Sequence, residues 1–351
     1  MSSFWSGRRL LVTGHTGFKG AWLSLWLHRL GAQVSGLALP AEDLAGAFPS
    51  LGPWPGLDSH ILDLRDADGV VDLVEDIDPE VVFHLGAQAL VRRGYSDPFG
   101  TYATNVVGTA NLLHGVARAK SLLAVVVVTS DKVYANAGLG RPFREDDPLG
   151  GGDPYSSSKA VADLLTRSWR SDRLRDGAVA IGTARAGNAI GGGDRGEDRL
   201  LPDAWRALEA GERLLVRNPD ATRPWQFVLE ALAGYLLLGQ RLATEPARTP
   251  RALNFGPDAR ATRRVADVLE RVFQLWGTGG WDTDASIHPP EAASLSLDAG
   301  LATEMLGWRP RLSLDIALDW TVQWWRCAAE GGDLRQLALG QIASYESLLD
   351  P

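Results

Sequence analysis

The chain has 351 residues, of which 45% are hydrophobic, and a formal net charge of -8. That length and apolar content suit two domains, or one large domain with an embedded lobe, and the acidic balance argues against a nucleic-acid partner or an anionic membrane surface. A single cysteine, Cys327, leaves no intrachain disulfide and fits a reducing, cytoplasmic setting, and no apolar run reaches the ~18 residues of a membrane span.

Residues 10–14 are expected to form a short buried strand ending in a turn. Gly14, Gly17 and Gly20 follow, and Phe18, Ala21, Trp22, Leu25 and Trp26 recur at helical spacing. A strand, a glycine-rich turn and a helix start together make a phosphate cradle. Glycines let the backbone approach a pyrophosphate, and free N–H groups at the helix start favour its charge. The alternative is a turn that only packs a helix onto a strand, but the placement between a strand and a helix favours nucleotide binding. His15 and Lys19 lie inside the loop, either as phosphate or ribose contacts or as solvated residues.

Residues 33–39 predict a second strand. Many NAD-binding folds end this strand with an acidic residue for the adenosine ribose. Leu37, Ala38, Leu39 and Pro40 stand there and cannot serve. Residues 41–58 are an irregular Gly- and Pro-rich excursion. Residues 60–64 predict a third strand closing on Asp63 and Leu64, with Asp63 either an acceptor for an adenine amino group or a helix N-cap. Residues 70–77 have helical spacing, and 81–85 predict a fourth strand followed by Gly86-Ala87-Gln88. Residues 98–118 predict one long helix containing Asn105 and Gly108, and residues 124–129 a fully apolar fifth strand. Unbroken apolar strands alternating with helices predict an α/β fold of the Rossmann type, a doubly wound parallel sheet with ligands at the carboxyl ends of its strands.

Ser130, Asp131 and Lys132 follow the fifth strand. Tyr155 and Lys159 open a helix running to about residue 170, four apart and so on one face. Residues 178–184 predict a sixth strand. The texture changes from Ile190, with a short helix at 200–209, a short strand at 214–217, an apolar helix at 229–242 and a last strand at 253–255. The tail holds a helix to Trp276, a Pro-rich loop at 288–290 and a Trp-bearing helix at 312–327. The expected division is a dinucleotide-binding domain over 1–187 to which 225–256 return, and a smaller substrate-binding lobe of 188–224 and 257–351. The thirteen tryptophans are expected to pack the core and the lobes.

A phenol ionises near pH ~10, so Tyr155 needs help to act as a base at neutral pH. A lysine ammonium one helical turn away, beside a positively charged nicotinamide, stabilises phenolate. Such a tyrosine takes a proton from a sugar hydroxyl that Ser130 orients. Asp131 and Lys132 add an acid/base pair that a simple dehydrogenase does not need. They are either a solvated ion pair or the groups that remove a C–H proton next to a ketone and protonate a departing hydroxyl. A lysine base must be neutral, which requires burial or nearby charge.

The segments 13–20, 129–132, 155–159, 185–194, 217–219 and 223–226 resemble the extended short-chain dehydrogenase/reductase superfamily, and within it the CDP-glucose 4,6-dehydratase family. The resemblance runs from about Phe4 to the C-terminal helix. It implies an NAD cofactor that is regenerated in each turnover and a nucleotide-hexose substrate, CDP-glucose first. Tyr155, Lys159 and Ser130 would serve the oxidation at C4, Lys132 the C5 proton and Asp131 the leaving 6-hydroxyl. Gly14, His15, Gly17, Phe18, Lys19, Gly20, Asp63, Leu64, Gln88 and Asn105 would line the cofactor, and Asn188, Arg217, Arg223 and Glu291 the substrate. No metal is implied, and a homodimer through helices near 98–118 and 154–170 is. The chain departs from the family pattern at Val133, Ala135, Arg195, Phe227, Pro290, Ala293 and Ser294, which bears on the base and the hexose. The rivals are an epimerase or reductase of the same superfamily, which needs no Asp131–Lys132 pair, and a non-catalytic nucleotide sensor, which needs neither Tyr155 nor Lys159.

Overall fold

The computed structural model describes residues 2–135, 140–169, 179–258, 261–284, 286 and 296–349. Strands Arg9–Thr13 (β1), Gln33–Ala38 (β2), Leu57–Ile61 (β3), Val81–His84 (β4), Ala124–Val128 (β5), Ala180–Ala186 (β6) and Ala252–Phe255 (β7) form one sheet. Every pairing in it is parallel, in the order β7-β6-β5-β4-β1-β2-β3. The sequence forces this layering. β5 is Ala-Val-Val-Val-Val and buried throughout, as a strand covered on both faces must be. Alternation then sorts the side chains: Leu10, Val12 and Val126 enter one core with Trp22, Trp26 and Leu232, while Leu11, Val125 and Val127 enter the other with Val70, Val74 and Leu112. The strand order reverses between β1 and β4, which opens a crevice at the carboxyl ends of these strands.

Several elements differ from expectation. β3 begins and ends three residues before the expected 60–64, because its neighbour β2 pairs only as far as Ala38 and the chain then leaves the sheet at Pro40. Leu64 instead turns inward onto Gly86 and Gly108. The helix expected over 98–118 is Pro98–Tyr102, a π-helical turn Ala103–Val107, and Gly108–Val116. The excursion at 41–58 contains the short helix Ala47–Leu51 and the start of β3.

Beyond β6 the chain makes small two-stranded ladders: Ala189–Ile190 with Gln226–Phe227, Leu214–Val216 with Trp281–Thr283, and Thr222–Pro224 with Thr262–Arg264. Aromatic rings tie these parts to the sheet. The Trp22 ring lies 5.6 Å from Trp324 and 6.1 Å from Phe227, and its Nε1 donates to the Gly192 carbonyl at 2.9 Å. Trp205 lies 5.3 Å from both Trp276 and Trp325. The last helix, Leu334–Leu349, returns to the helix Phe18–Arg29, where Trp26 meets Tyr345 edge-on and donates to Glu346 at 2.9 Å.

Candidate active site

Gly14 adopts φ +73°, and a Cβ there would lie 2.8–2.9 Å from the backbone of Leu85 and Gly86. A Cβ on Gly20 would come within 2.0 Å of the Gly14 carbonyl. Both positions therefore demand glycine, and they bring the loop flat against β4 and the helix Phe18–Arg29. Gly17 caps that helix with extended backbone and no side-chain acceptor. The first N–H groups of the helix consequently have no side chain in front of them, as a pyrophosphate site requires. The cradle fits a dinucleotide.

His15 is not a solvated loop residue. Its imidazole lies flat on Gly36, where a Cβ would come within 2.3 Å of the ring, and its Nε2 is 2.7 Å from the Ser59 hydroxyl. Burial lowers its pKa to about 4, so it is neutral. Lys19 is likewise drawn into the cleft. Its Nζ is 3.4 Å from the Tyr235 hydroxyl. Burial, with Arg199 adding and Asp131 and Asp194 opposing, lowers its pKa to about 8.

Asp63 is forked to Arg65 at 2.5–3.0 Å, which holds its carboxyl below the usual range, and the N-cap of the next helix is Asp66 instead. Gln88 and Asn105 brace the loop after β4. Asn105 Oδ1 accepts from the Gln88 N–H at 2.8 Å, and Nδ2 donates to the Gln88 carbonyl at 3.0 Å and to Ser158 Oγ at 2.8 Å. The π turn aims Asn105 inward, so the loop is fastened to the Tyr155 helix.

Ser130 lies two residues beyond β5 and caps a single 3₁₀ turn, Asp131–Val133. Its hydroxyl donates to Asp131 Oδ1 at 2.9 Å, accepts from the Lys132 N–H at 3.2 Å and is hydrogen-bonded to the Tyr155 phenol. Asp131 is buried. Burial raises its pKa, against the opposing pull of Lys132, Ser130 and Lys19. Gly187 makes room for it, since a Cβ there would sit 3.1 Å from Asp131 Oδ2. Tyr155 is buried at the start of the helix Pro154–Trp169, and burial raises its pKa while the Ser130 hydrogen bond and Arg199 lower it. Lys159 is buried one helical turn beyond Tyr155. Its Nζ donates to the Val128 carbonyl at 3.2 Å, and burial lowers its pKa to about 8. Lys132 is half-buried on the same turn.

Asn188 is exposed just beyond β6. Arg217 Nη2 reaches Asp198 at 3.4 Å, and Arg223 lies half-buried on the strand Thr222–Pro224. Glu291 lies outside the described residues, as do Pro290, Ala293 and Ser294.

A family model described as GDP-mannose 4,6 dehydratase matches residues 11–319. The chain belongs to that family. It is 42% identical to the CDP-glucose 4,6-dehydratase of Salmonella typhimurium, over 98% of each chain. It is 28% identical to the UDP-glucose 4-epimerase of Mycolicibacterium smegmatis, over 91% of this chain and 98% of that one. Its fold matches the structure of DesIV, a dTDP-glucose 4,6-dehydratase from Streptomyces venezuelae solved with NAD, with a TM-score of 0.78 and 24% identity over 93% of this chain and 99% of that one.

Two departures from the family pattern have structural explanations. Arg195 donates to Asp43 at 3.0 Å and Glu209 at 2.9 Å, fastening the 41–58 excursion to the helix Leu200–Ala210. Phe227 is fully buried against Trp22 and Trp320. Two residues near the cluster were not singled out from the sequence. Arg199 pairs with Asp194 at 3.1 Å and lies within electrostatic reach of Lys19 and Tyr155. Tyr235 faces Lys19 from the middle of an apolar helix, where spacing marks only a core position. The signal for Arg199 is a cation immediately before a helix carrying Pro202, beside a Gly-rich entry.

Proposed function

We propose that the protein is an NAD-dependent nucleotide-sugar 4,6-dehydratase whose substrate is CDP-glucose. The observation that carries this is Asp131: a carboxyl buried beside Ser130 and Tyr155, its pKa raised by burial, which would give a proton to the leaving 6-hydroxyl. An epimerase or a reductase has no use for an acid there, and the 42% identity to a CDP-glucose 4,6-dehydratase supports the same base and hexose.

Gly14, Gly17, Phe18, Lys19 and Gly20 would hold the pyrophosphate of NAD, and Asp63 and Leu64 would lie at its adenine end. When bound, NAD would supply the hydride acceptor for C4 and the hydride donor for C6. Tyr155 removes the proton of the 4-hydroxyl, which Ser130 orients. Its phenol is raised by burial, so ionisation waits for positive charge brought with the ligands. The C4 ketone acidifies the C5 proton, which Lys132 takes and gives back to C5 when hydride reaches C6. Asp131 gives its proton to the 6-hydroxyl, and water leaves. Asn188 and Arg223 are assigned to the diphosphate, whose oxygens the Arg223 guanidinium would match in a forked geometry, and Arg217 to the substrate.

Residues 1–187 with 225–256 serve the cofactor, and 188–224 with 257–351 the substrate. A homodimer is supported by exposed apolar side chains on adjoining helices: Phe99 at 84%, Val107 at 50% and Leu164 at 50%. Among the described residues no helix is long and apolar enough to cross a membrane, and Cys327 suits the reducing cytoplasm.

Incubation with CDP-glucose and catalytic NAD tests the reading by product mass. The expected product is lighter by one water with no net NADH. Stoichiometric NADH with no loss of water overturns it.

A further inference from the structure

Three segments that carry the chemistry meet around one buried ion pair that the reaction itself does not use. Asp163 lies four residues beyond Lys159 and eight beyond Tyr155, on the same face of their helix. Arg185 lies near the end of β6, three residues before Asn188. Neither side chain has any exposed surface. The guanidinium is forked on the carboxylate, Nε to Oδ2 at 2.8 Å and Nη2 to Oδ1 at 2.9 Å. Asp163 Oδ2 also lies 3.3 Å from the hydroxyl of Thr129, the residue before Ser130. The remaining nitrogen, Nη1, donates to the Tyr134 hydroxyl at 2.7 Å and to the Glu145 carbonyl at 3.0 Å. Tyr134 follows the Asp131–Val133 turn directly and donates onward to Asn254 on β7 at 2.7 Å.

Stability alone does not explain such a pair. The desolvation of two buried charges offsets most of their attraction, and apolar side chains of similar volume hold a core equally well. What apolar packing does not supply is direction. It leaves a helix free to slide or rotate slightly over its neighbours, whereas a fork of short hydrogen bonds fixes both motions. Here the reacting groups come from different elements: Tyr155 from the helix, Ser130 from the end of β5, Asp131 and Lys132 from the turn. Proton transfer needs heavy atoms within ~2.6–3.2 Å, so these elements must share a register finer than packing gives.

We propose that Arg185 and Asp163 are positioning residues that hold the oxidation group, Tyr155 with Ser130, in register with the elimination group, Asp131 with Lys132. Asp163 grips the helix and the end of β5. Arg185 grips the turn through Tyr134. The proposal rests on the dehydratase reading above.

The two half-reactions are read separately, oxidation as enzyme-bound NADH absorbance after rapid mixing with CDP-glucose, elimination as solvent deuterium entering C5. Tyr134→Phe removes the hydroxyl that joins Arg185 to the turn, together with its bond to Asn254, and leaves the fork on Asp163 in place. It is expected to leave oxidation within about twofold and to slow deuterium entry about tenfold, with KM unchanged. The double variant Asp163→Leu/Arg185→Met removes both buried charges, and with them the carboxylate that Arg167, 36% exposed, reaches at 3.1 Å. It is expected to slow both half-reactions about 10²-fold while KM stays within about threefold. Arg185→Lys keeps the charge without the fork and should fall between this variant and the wild type. Wild-type rates in the double variant overturn the proposal, as do losses in both halves that match the loss of folded protein. If the double variant does not fold, Tyr134→Phe decides: equal slowing of both halves, or of neither, overturns it. Wild-type protein that forms NADH but never exchanges C5 would instead defeat the dehydratase reading, and leave the oxidation arm to judge the register.

Discussion

Tyr155 and Lys159 are one helical turn apart; the lysine Nζ donates to the Val128 carbonyl, and burial raises the pKa of the phenol. Besides burial, the groups that act most strongly on Tyr155 are Ser130, Asp131 and Arg199. The division of labour between proton-transfer groups is therefore the question at this scale. If Lys132 acts only on the C5 proton, Lys132→Ala keeps the first half-reaction, because Ser130, Tyr155 and Lys159 are untouched. Enzyme-bound NADH should form and persist, and overall turnover should fall by ~10²–10⁴-fold, the usual contribution of a general acid or base. Near wild-type water loss would make Lys132 a bystander. Loss of NADH formation as well would place it in substrate or cofactor positioning.

β4 shows how an element's burial sets a pH dependence. His84 is fully inside, its Nδ1 2.7 Å from the Thr13 hydroxyl and its Nε2 2.9 Å from that of Thr109. Burial, aided by the Lys159 charge, lowers its pKa from 6.5 to about 3. The unfolded chain therefore takes up this proton first as pH falls. The stability held by neutral His84 is complete above pH 6.5 and is lost steadily down to about pH 3. At ~1.4 kcal/mol per pH unit the loss between pH 7 and pH 5 is about 2 kcal/mol. Buried carboxyls such as Asp131 and Glu230, whose pKa values are raised, act with the opposite sign. The clean measure is thus a comparison of urea unfolding at the two pH values in wild type and His84→Asn. The variant should lose about 2 kcal/mol less on acidification, and an identical loss in both would remove His84 from the account.

At the scale of the whole molecule, aromatic rings and salt links bind the ladders and the last helix to the sheet, while one outer face stays apolar. Phe99, Val107, Val161 and Leu164 are exposed on the helices beside the Tyr155 helix and on that helix itself. Covering that face with a second copy would also press on the helix that carries Tyr155. The wild-type protein is expected to sediment as a dimer and Phe99→Asp/Leu164→Asp as a monomer. A wild-type monomer at micromolar concentration, or a variant dimer, would exclude this face as the interface.

The sequence by itself determined the sheet, because runs such as Ala-Val-Val-Val-Val are stable only when covered on both faces. It also marked the phosphate cradle, because Gly14 and Gly20 stand where a Cβ cannot. It placed Ser130, Asp131, Tyr155 and Lys159 at a strand end and a helix start, which a parallel sheet brings to one edge. The tertiary structure alone decided where the charges point. The end of β3 depends on where β2 leaves the sheet, and the inward turn of Asn105 on a π turn that no local spacing marks. The burial of His15 and Lys19, the arrival of Arg199 beside Tyr155 and the meeting of Arg185 with Asp163 join residues far apart in the chain. Periodicity records which face of an element is apolar. It holds no information on which polar group from another element will satisfy a buried one, and that choice fixes the electrostatics of this site.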